Sequence, residues 1–235
     1  MRLLLFSNST NAGEEYLNYT LPFIRNFLHG EKVQAAFIPY AGISVGFDVY
    51  YEMVASKISD TGIHLEPVHR SSSPNELIAE SELIIVGGGN TFYLLKSLQD
   101  MNLLSAIAEK VKKGTPYIGW SAGSNLACPS IKTTNDMPIV QPKDFRGLNL
   151  IPFQINPHFT DFRQEGHAGE TREMRINEFL LANPEVVVAG LREGTLLAVE
   201  DQKIELKGKK SCRIFKSGQD AYEVQPGENL SFLLQ

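Results

Sequence analysis

Cysteine is almost absent from this 235-residue chain, which carries only Cys128 and Cys212. Two such distant thiols offer at most one bridge and no metal-ligand spacing, so the expectation is a reduced, buried pair and no metal site. Long apolar runs are missing as well. Leu3-Leu4-Leu5-Phe6 gives way at once to Ser7-Asn8-Ser9-Thr10-Asn11, which is too short for a secretion signal and about the length of one buried strand. Nothing approaches the roughly 20 apolar residues that cross a bilayer, and a cytoplasmic protein with no membrane partner is expected. Clustered positive charge is also lacking. With a formal charge of −5 and no run of Lys and Arg to follow a phosphate backbone, the composition excludes nucleic acid as a partner. Neither an internal repeat nor a Pro- or Ser-rich linker divides the chain, so residues 1–235 are expected to form a single α/β domain, present as a monomer or a homodimer.

What is present is an alternation. At 43% hydrophobic and 21% charged residues the composition is that of an ordinary globular domain with enough apolar mass for a sizeable core. Short β-rich runs at Leu3 to Phe6, Val33 to Ile38, Leu83 to Val86, Tyr117 to Gly119, Phe153 to Asn156 and Val186 to Ala189 are separated by helical patterns. Those patterns cover Glu14 to Leu28, Val45 to Ile58, Thr91 to Leu98, Leu103 to Lys112 and Glu170 to Leu181, with apolar residues recurring at three and four. Several strand candidates are apolar at consecutive positions, as strands buried on both faces are. The prediction is a mostly parallel sheet with helices on both faces. After Thr195 the pattern changes to short strands broken by Asp201-Gln202, Gly208, Ser217-Gly218 and Pro226-Gly227, which predicts a C-terminal antiparallel β meander ending in a strand over Leu230 to Leu234. Ser71-Ser72-Ser73-Pro74 reads as an exposed loop.

Two motifs interrupt this pattern with chemistry. Gly119-Trp120-Ser121-Ala122-Gly123 has the form of a nucleophile elbow and stands between an apolar strand and a helix start, where such a turn exposes the serine at the carboxyl end of a sheet. The bland alternative for Ser121 is a helix N-cap. Gly87-Gly88-Gly89-Asn90-Thr91 follows the Leu83 to Val86 strand, and its backbone N–H groups beside a helix start suit an anion. It matches neither dinucleotide nor P-loop fingerprints, which leaves an oxyanion hole, or a plain chain reversal. Asn90 and Thr91, at the end of this loop, are candidate substrate-binding residues.

A serine nucleophile needs a base and an acid to orient it. Of the five histidines, His158 in Asn156-Pro157-His158-Phe159-Thr160 directly follows a strand candidate, and it is preferred over His167 in a polar loop. Glu193 in Gly190-Leu191-Arg192-Glu193-Gly194 again follows an apolar strand; its neighbour Arg192 could draw the carboxylate away. The chain order Ser, His, Glu differs from that of the α/β-hydrolases, chymotrypsin and subtilisin, and points to another scaffold.

With these residues in view the chain resembles the peptidase E family of aspartyl dipeptidases, the S51 serine peptidases. The resemblance rests on Val86-Gly87-Gly88-Gly89-Asn90-Thr91-Phe92, Gly119-Trp120-Ser121-Ala122-Gly123-Ser124-Asn125, Thr133-Thr134-Asn135-Asp136-Met137-Pro138-Ile139-Val140, Gln154-Ile155-Asn156-Pro157-His158-Phe159-Thr160 and Gly169-Glu170-Thr171-Arg172-Glu173. It implies a fold like that of class I glutamine amidotransferases, of flavodoxin-like type, and cleavage of Asp-Xaa dipeptides without a metal or organic cofactor. By the same resemblance Ser121 is the nucleophile, His158 the base and Glu193 the third triad member. The Gly89 and Ala122 amides form the oxyanion hole, Arg172 reads the substrate aspartate, and Asp136 is a rival or additional functional acid. Without the resemblance, Arg172 reads as a helix surface residue paired with Glu173 or Glu178. Two other classes stand beside this reading: a different amidotransferase-like hydrolase, such as a cyanophycinase-type peptidase or an esterase, and a non-catalytic binding protein with a degenerate elbow.

Overall fold

A computed structural model describes every residue except Gln164, Glu165, His167 and Gln235; the alternative base His167 therefore lies outside the described residues. In chain order the strands and helices are β1 (Arg2–Phe6), α1 (Leu21–Leu28), β2 (Val33–Ile38), α2 (Phe47–Ile58), β3 (Ile63–Pro67), α3 (Pro74–Glu80), β4 (Leu83–Val86), α4 (Thr91–Asp100), α5 (Leu104–Lys112), β5 (Tyr117–Trp120) and α6 (Ala122–Leu126). They continue with β6 (Gln154–Phe159), α7 (Arg172–Ala182), β7 (Val187–Arg192), β8 (Thr195–Glu200), β9 (Lys203–Gly208), β10 (Cys212–Lys216) and β11 (Tyr222–Val224).

Seven strands form one sheet in the order β3-β2-β4-β5-β1-β8-β9, in which the first five run parallel and β8 and β9 antiparallel. Because side chains alternate across a strand, the consecutive apolar residues feed two cores at once. Leu83 and Ile85 pack with Ile24, Val54 and Ile58 of α1 and α2, while Ile84 and Val86 pack with Leu94, Leu98 and Ile107 of α4 and α5. Each such buried aliphatic side chain contributes roughly 1.5–3 kcal/mol relative to exposure. This is the α/β architecture with a mostly parallel sheet covered on both faces that the alternation predicts.

A second sheet, in the order β11-β10-β7-β6, differs from expectation. The strands near Phe153 and Val186 do not extend the first sheet: β6 and β7 pair parallel with each other, joined through α7. One face of this sheet shares the core of Ile84 and Val86 through Ile155, Leu191 and Ile214. Its other face meets Ile176 and Leu180 of α7. The C-terminal strands are antiparallel as predicted, yet they do not form one continuous meander. β8 and β9 join the first sheet beside β1, whereas β10 and β11 join the second beside β7.

Four local differences have identifiable causes. The helix expected from Glu14 begins only at Leu21, because Pro22 is tolerated in a first turn and not in a helix interior. β3, an edge strand of alternating burial ending at Pro67, was not expected. α3 starts at Pro74, inside the segment read as a loop, with proline again at a helix start. The segment over Leu230 to Leu234 is a 3-10 turn and not a strand. There Leu230 and Leu233 are both buried, and the Asn229 side chain accepts from the Ser231 N–H at 2.9 Å. Cys128 and Cys212 are both buried and unbridged; burial raises the Cys128 thiol to about 12. Among the described residues no helix is long and apolar enough to cross a membrane.

Candidate active site

The carboxyl ends of β1, β4 and β5 lie side by side, and each carries one polar loop of the site. After β5 the chain turns into α6 at Ser121, whose φ of 53° and ψ of −110° belong to a region that side chains rarely occupy. Space for the turn comes from glycine: a Cβ at Gly123 would stand 2.2 Å from the Val86 carbonyl oxygen. The Ser121 hydroxyl does not cap α6. Instead it lies 2.8 Å from Nε2 of His158.

His158 is reached from the other sheet. β6 bulges between Asn156 and Phe159 in its pairing with β7, and His158 takes a φ of 53° there, which turns its ring toward β5. Its Nδ1 lies 2.7 Å from Oε1 of Glu193. Glu193 occupies the tight turn between β7 and β8, and this turn carries the chain from the second sheet into the first. Three residues from three segments thus form one hydrogen-bonded line. Arg192 does not disturb it, since its guanidinium bonds Asp161 at 2.9 Å and Glu223 at 2.7 Å.

The glycine loop after β4 packs against the elbow. Gly89 has a φ of 133°, and a Cβ there would lie 2.1 Å from the Ala41 carbonyl oxygen, so only glycine fits. Within the loop, Gly87 and Asn90 donate their N–H groups to Ile38 and Ala41. The Ala122 N–H is the first amide of α6, a position with no partner inside a helix. Gly88, Gly89, Ser121, His158 and Asp136 line one cavity of about 440 Å³, together with Tyr16 and Tyr50. Burial holds both tyrosine hydroxyls above their ordinary pKa. Trp120 Nε1 donates to the Tyr50 hydroxyl at 2.9 Å, and that hydroxyl donates to the Gly88 carbonyl at 3.1 Å.

Asn90, Thr91 and Arg172, expected to bind substrate, are not among the residues that line this cavity. Asn90 caps α4 by accepting from Tyr93 N–H at 3.0 Å and donates to the Met137 carbonyl at 2.9 Å. Thr91 bonds Asp136 through its amide at 2.7 Å and its hydroxyl at 2.5 Å. Both side chains therefore fasten the Asp136 segment to the start of α4. Arg172, the first residue of α7, lines a separate pocket of about 270 Å³ with Arg175 and Thr160. It donates through Nη1 to the Asn135 side chain, and it pairs with neither Glu173 nor Glu178; Glu173 bonds Arg213 at 3.0 Å. The Arg172 Nε is buried without a partner, and burial, followed by the nearby Arg175, lowers its pKa. Among the described residues no His, Cys, Asp and Glu cluster is arranged to hold a metal ion.

The profile of peptidase family S51 matches residues 3–207. The chain belongs to that family. It is 51% identical over 234 residues to a protein named peptidase E from Nostoc sp., covering 100% of this chain and 97% of the relative. Against a peptidase E of Salmonella arizonae it is 49% identical over 227 residues, covering 97% and 99% of the two chains. A solved structure of a peptidase from an acI-B1 Actinobacterium superposes with a TM-score of 0.71 at 17% identity, covering 98% of this chain and 96% of that one, and shares the fold. As an S51 peptidase the chain is a hydrolase of the serine type and a dipeptidase.

Two residues that hold this S51 site together were not singled out in the sequence. Ser7 and Asn8 directly follow β1. The Ser7 hydroxyl donates to the Leu191 carbonyl at 2.8 Å and accepts the His158 N–H at 2.9 Å. The Asn8 side-chain oxygen accepts the Gly194 N–H at 2.8 Å and the Tyr19 hydroxyl at 2.6 Å. Their sequence signal is position, since polar residues after a buried parallel strand fall on the rim where sites form.

Proposed function

We propose that this peptidase hydrolyses dipeptides with an amino-terminal L-aspartate through an acyl-enzyme. Ser121 is the nucleophile, His158 the base, and Glu193 the acid that holds the imidazole in place. The observation that carries this reading is the unbroken line from Ser121 Oγ through His158 to Glu193, at 2.8 and 2.7 Å. His158 takes the Ser121 proton as Oγ attacks the scissile carbonyl, and it returns that proton to the leaving amine. Water then attacks the acyl-enzyme with His158 as base, releasing the amino-terminal residue and restoring Ser121. The oxyanion of each tetrahedral intermediate is received by the Gly89 and Ala122 amides, which flank the serine from the glycine loop and the start of α6.

Selectivity for aspartate falls to Arg172. Its half-buried guanidinium has no carboxylate partner among the described residues and one orphaned donor, a state that a substrate β-carboxylate would relieve with charge-assisted hydrogen bonds. Asn135, which accepts from Arg172, directly precedes Asp136 in the wall of the Ser121 cavity. The test is labelling of Ser121 with a serine-reactive phosphonate, alongside hydrolysis of an Xaa-Leu dipeptide panel. Labelling together with cleavage confined to Asp-Leu supports the reading; labelling without aspartate preference removes Arg172 from it, and no labelling removes the triad.

A further inference from the structure

Asp136 shares the cavity of Ser121 and His158, and the chemistry above leaves it without a task. Its Oδ2 is fully engaged, accepting from the Thr91 N–H at 2.7 Å, the Thr91 hydroxyl at 2.5 Å and the Thr134 hydroxyl at 3.0 Å. These three donors fix the plane and direction of the carboxylate. Its Oδ1 accepts no hydrogen bond among the described residues, and the side chain lines the cavity, whose lining residues include neither Lys nor Arg. The structure thus holds a rigid anionic acceptor, without a counter-ion, in the chamber of the nucleophile.

The complementary group is a cation that accompanies the scissile bond. In a dipeptide the amino-terminal ammonium is attached to the carbon next to the scissile carbonyl, so once that carbonyl meets Ser121 the ammonium must lie inside this same cavity. Asn135 and Asp136 are consecutive, and the first contacts Arg172 while the second faces the cavity. The Asn135-Asp136 segment thus connects the Arg172 guanidinium, through the Asn135 side chain, to a carboxylate in the Ser121 cavity, a cation and an anion on one segment as the opposite charges of an aspartyl residue require. We infer that Asp136 binds the α-ammonium group of the substrate through Oδ1 and restricts hydrolysis to peptides with a free amino terminus. This rests on Ser121 as nucleophile and adds the second half of substrate selection; Asp136 is a binding residue and takes no part in proton transfer.

Aspartyl 4-nitroanilide and succinyl 4-nitroanilide test it, because the second is the first without its α-amine. The wild-type enzyme is expected to favour the aspartyl probe in kcat/KM by roughly 10- to 100-fold, the range of one charge-assisted hydrogen bond. That ratio is expected to fall close to one in Asp136→Asn, and Asp136→Glu, which keeps the charge and displaces it, is expected to lie between. On the wild-type enzyme, kcat/KM for the aspartyl probe should also decline as pH rises through the substrate amine pKa of about 8, a decline that the succinyl probe should not show. Equal wild-type rates on the two probes overturn the inference, whatever the stability of the variants. A parallel loss on both probes in Asp136→Asn overturns it as well, since that result assigns Asp136 to structure or chemistry. If the wild-type enzyme cleaves neither anilide, Asp-Leu and succinyl-leucine apply the same comparison on the dipeptide scaffold, and equal rates there overturn the inference; failure on Asp-Leu itself overturns the aspartate reading, and Ala-Leu against propionyl-leucine then tests ammonium recognition separately.

Discussion

The hydroxyl of Ser7 accepts the backbone N–H of His158 at 2.9 Å while donating to the Leu191 carbonyl at 2.8 Å. One side chain at the end of β1 thereby ties β6 to β7 at the point where the chain bulges to present His158. The imidazole is held in place partly by a residue of the other sheet. Ser7→Ala removes both bonds, one buried at the Leu191 carbonyl and one part-buried at the His158 N–H, at a cost of about 1–3 kcal/mol. The expected kinetic result is a roughly 10- to 100-fold fall in kcat with little change in KM, because the base is displaced and the binding groups are not. Denaturant unfolding and steady-state kinetics of the single variant check both halves; unchanged kcat would show that the β6 bulge holds His158 unaided.

Ser121 combines a strained backbone with the proposed nucleophile, and substitution separates the two. Ser121→Gly relieves the positive φ and is expected to raise stability by about 1 kcal/mol net of the glycine entropy cost. The same variant should lose hydrolysis by on the order of 10⁴-fold or more, as should His158→Ala. A Tm that falls in Ser121→Gly would contradict the strain argument.

Among the described residues the Glu193 carboxylate hydrogen-bonds His158 alone, so its effect should appear in turnover. Glu193→Gln keeps the shape but reverses the preferred hydrogen-bond pattern at Nδ1, and kcat should fall by about 10²- to 10⁴-fold with KM nearly unchanged. On the aspartyl and succinyl probes together the loss should be parallel, in contrast to Asp136→Asn. Normal turnover in Glu193→Gln would reassign the third place of the triad.

Arg172 is expected to act on selectivity. Arg172→Ala should cut hydrolysis of Asp-Leu by roughly 10- to 100-fold more than the slow cleavage of Asn-Leu. Arg172→Lys should restore only part, because the bidentate fork is lost. Equal losses on both dipeptides would place Arg172 in support of the α7 start and the Asn135 side chain.

Much of the first sheet was legible because its strands carry a two-sided signal. Leu83-Ile84-Ile85-Val86 and Val33 to Ile38 have the observed bounds of β4 and β2, since β4 is apolar throughout and β2 is apolar from Ala35 to Ile38, as strands buried on both faces are. The elbow and the glycine loop were legible for a related reason, as close backbone approach leaves only glycine at positions such as Gly89 and Gly123. β3 was not legible. Edge strands need one buried face, and His64 and Glu66 interrupt the apolar pattern.

The sequence by itself determined the α/β alternation, the rim positions of Ser121 and the glycine loop, and through its extended motifs the S51 family; His158, expected just past a strand on that same rim, lies instead inside β6 of the second sheet, at a bulge. Each of these depends on short-range constraints: residue period, backbone angle and the steric size of a side chain. Only the tertiary structure decided that β6 and β7 leave the first sheet for a second one, and that the Glu193 turn is the seam between them. It also decided that Ser7 and Asn8 bind that seam, and that Asp136 shares a cavity with Ser121 while Arg172 stands in a separate pocket and reaches Asn135, the residue before Asp136. These relationships join residues far apart in the chain. They follow from which apolar faces bury each other, and no local pattern along one strand or helix encodes that choice.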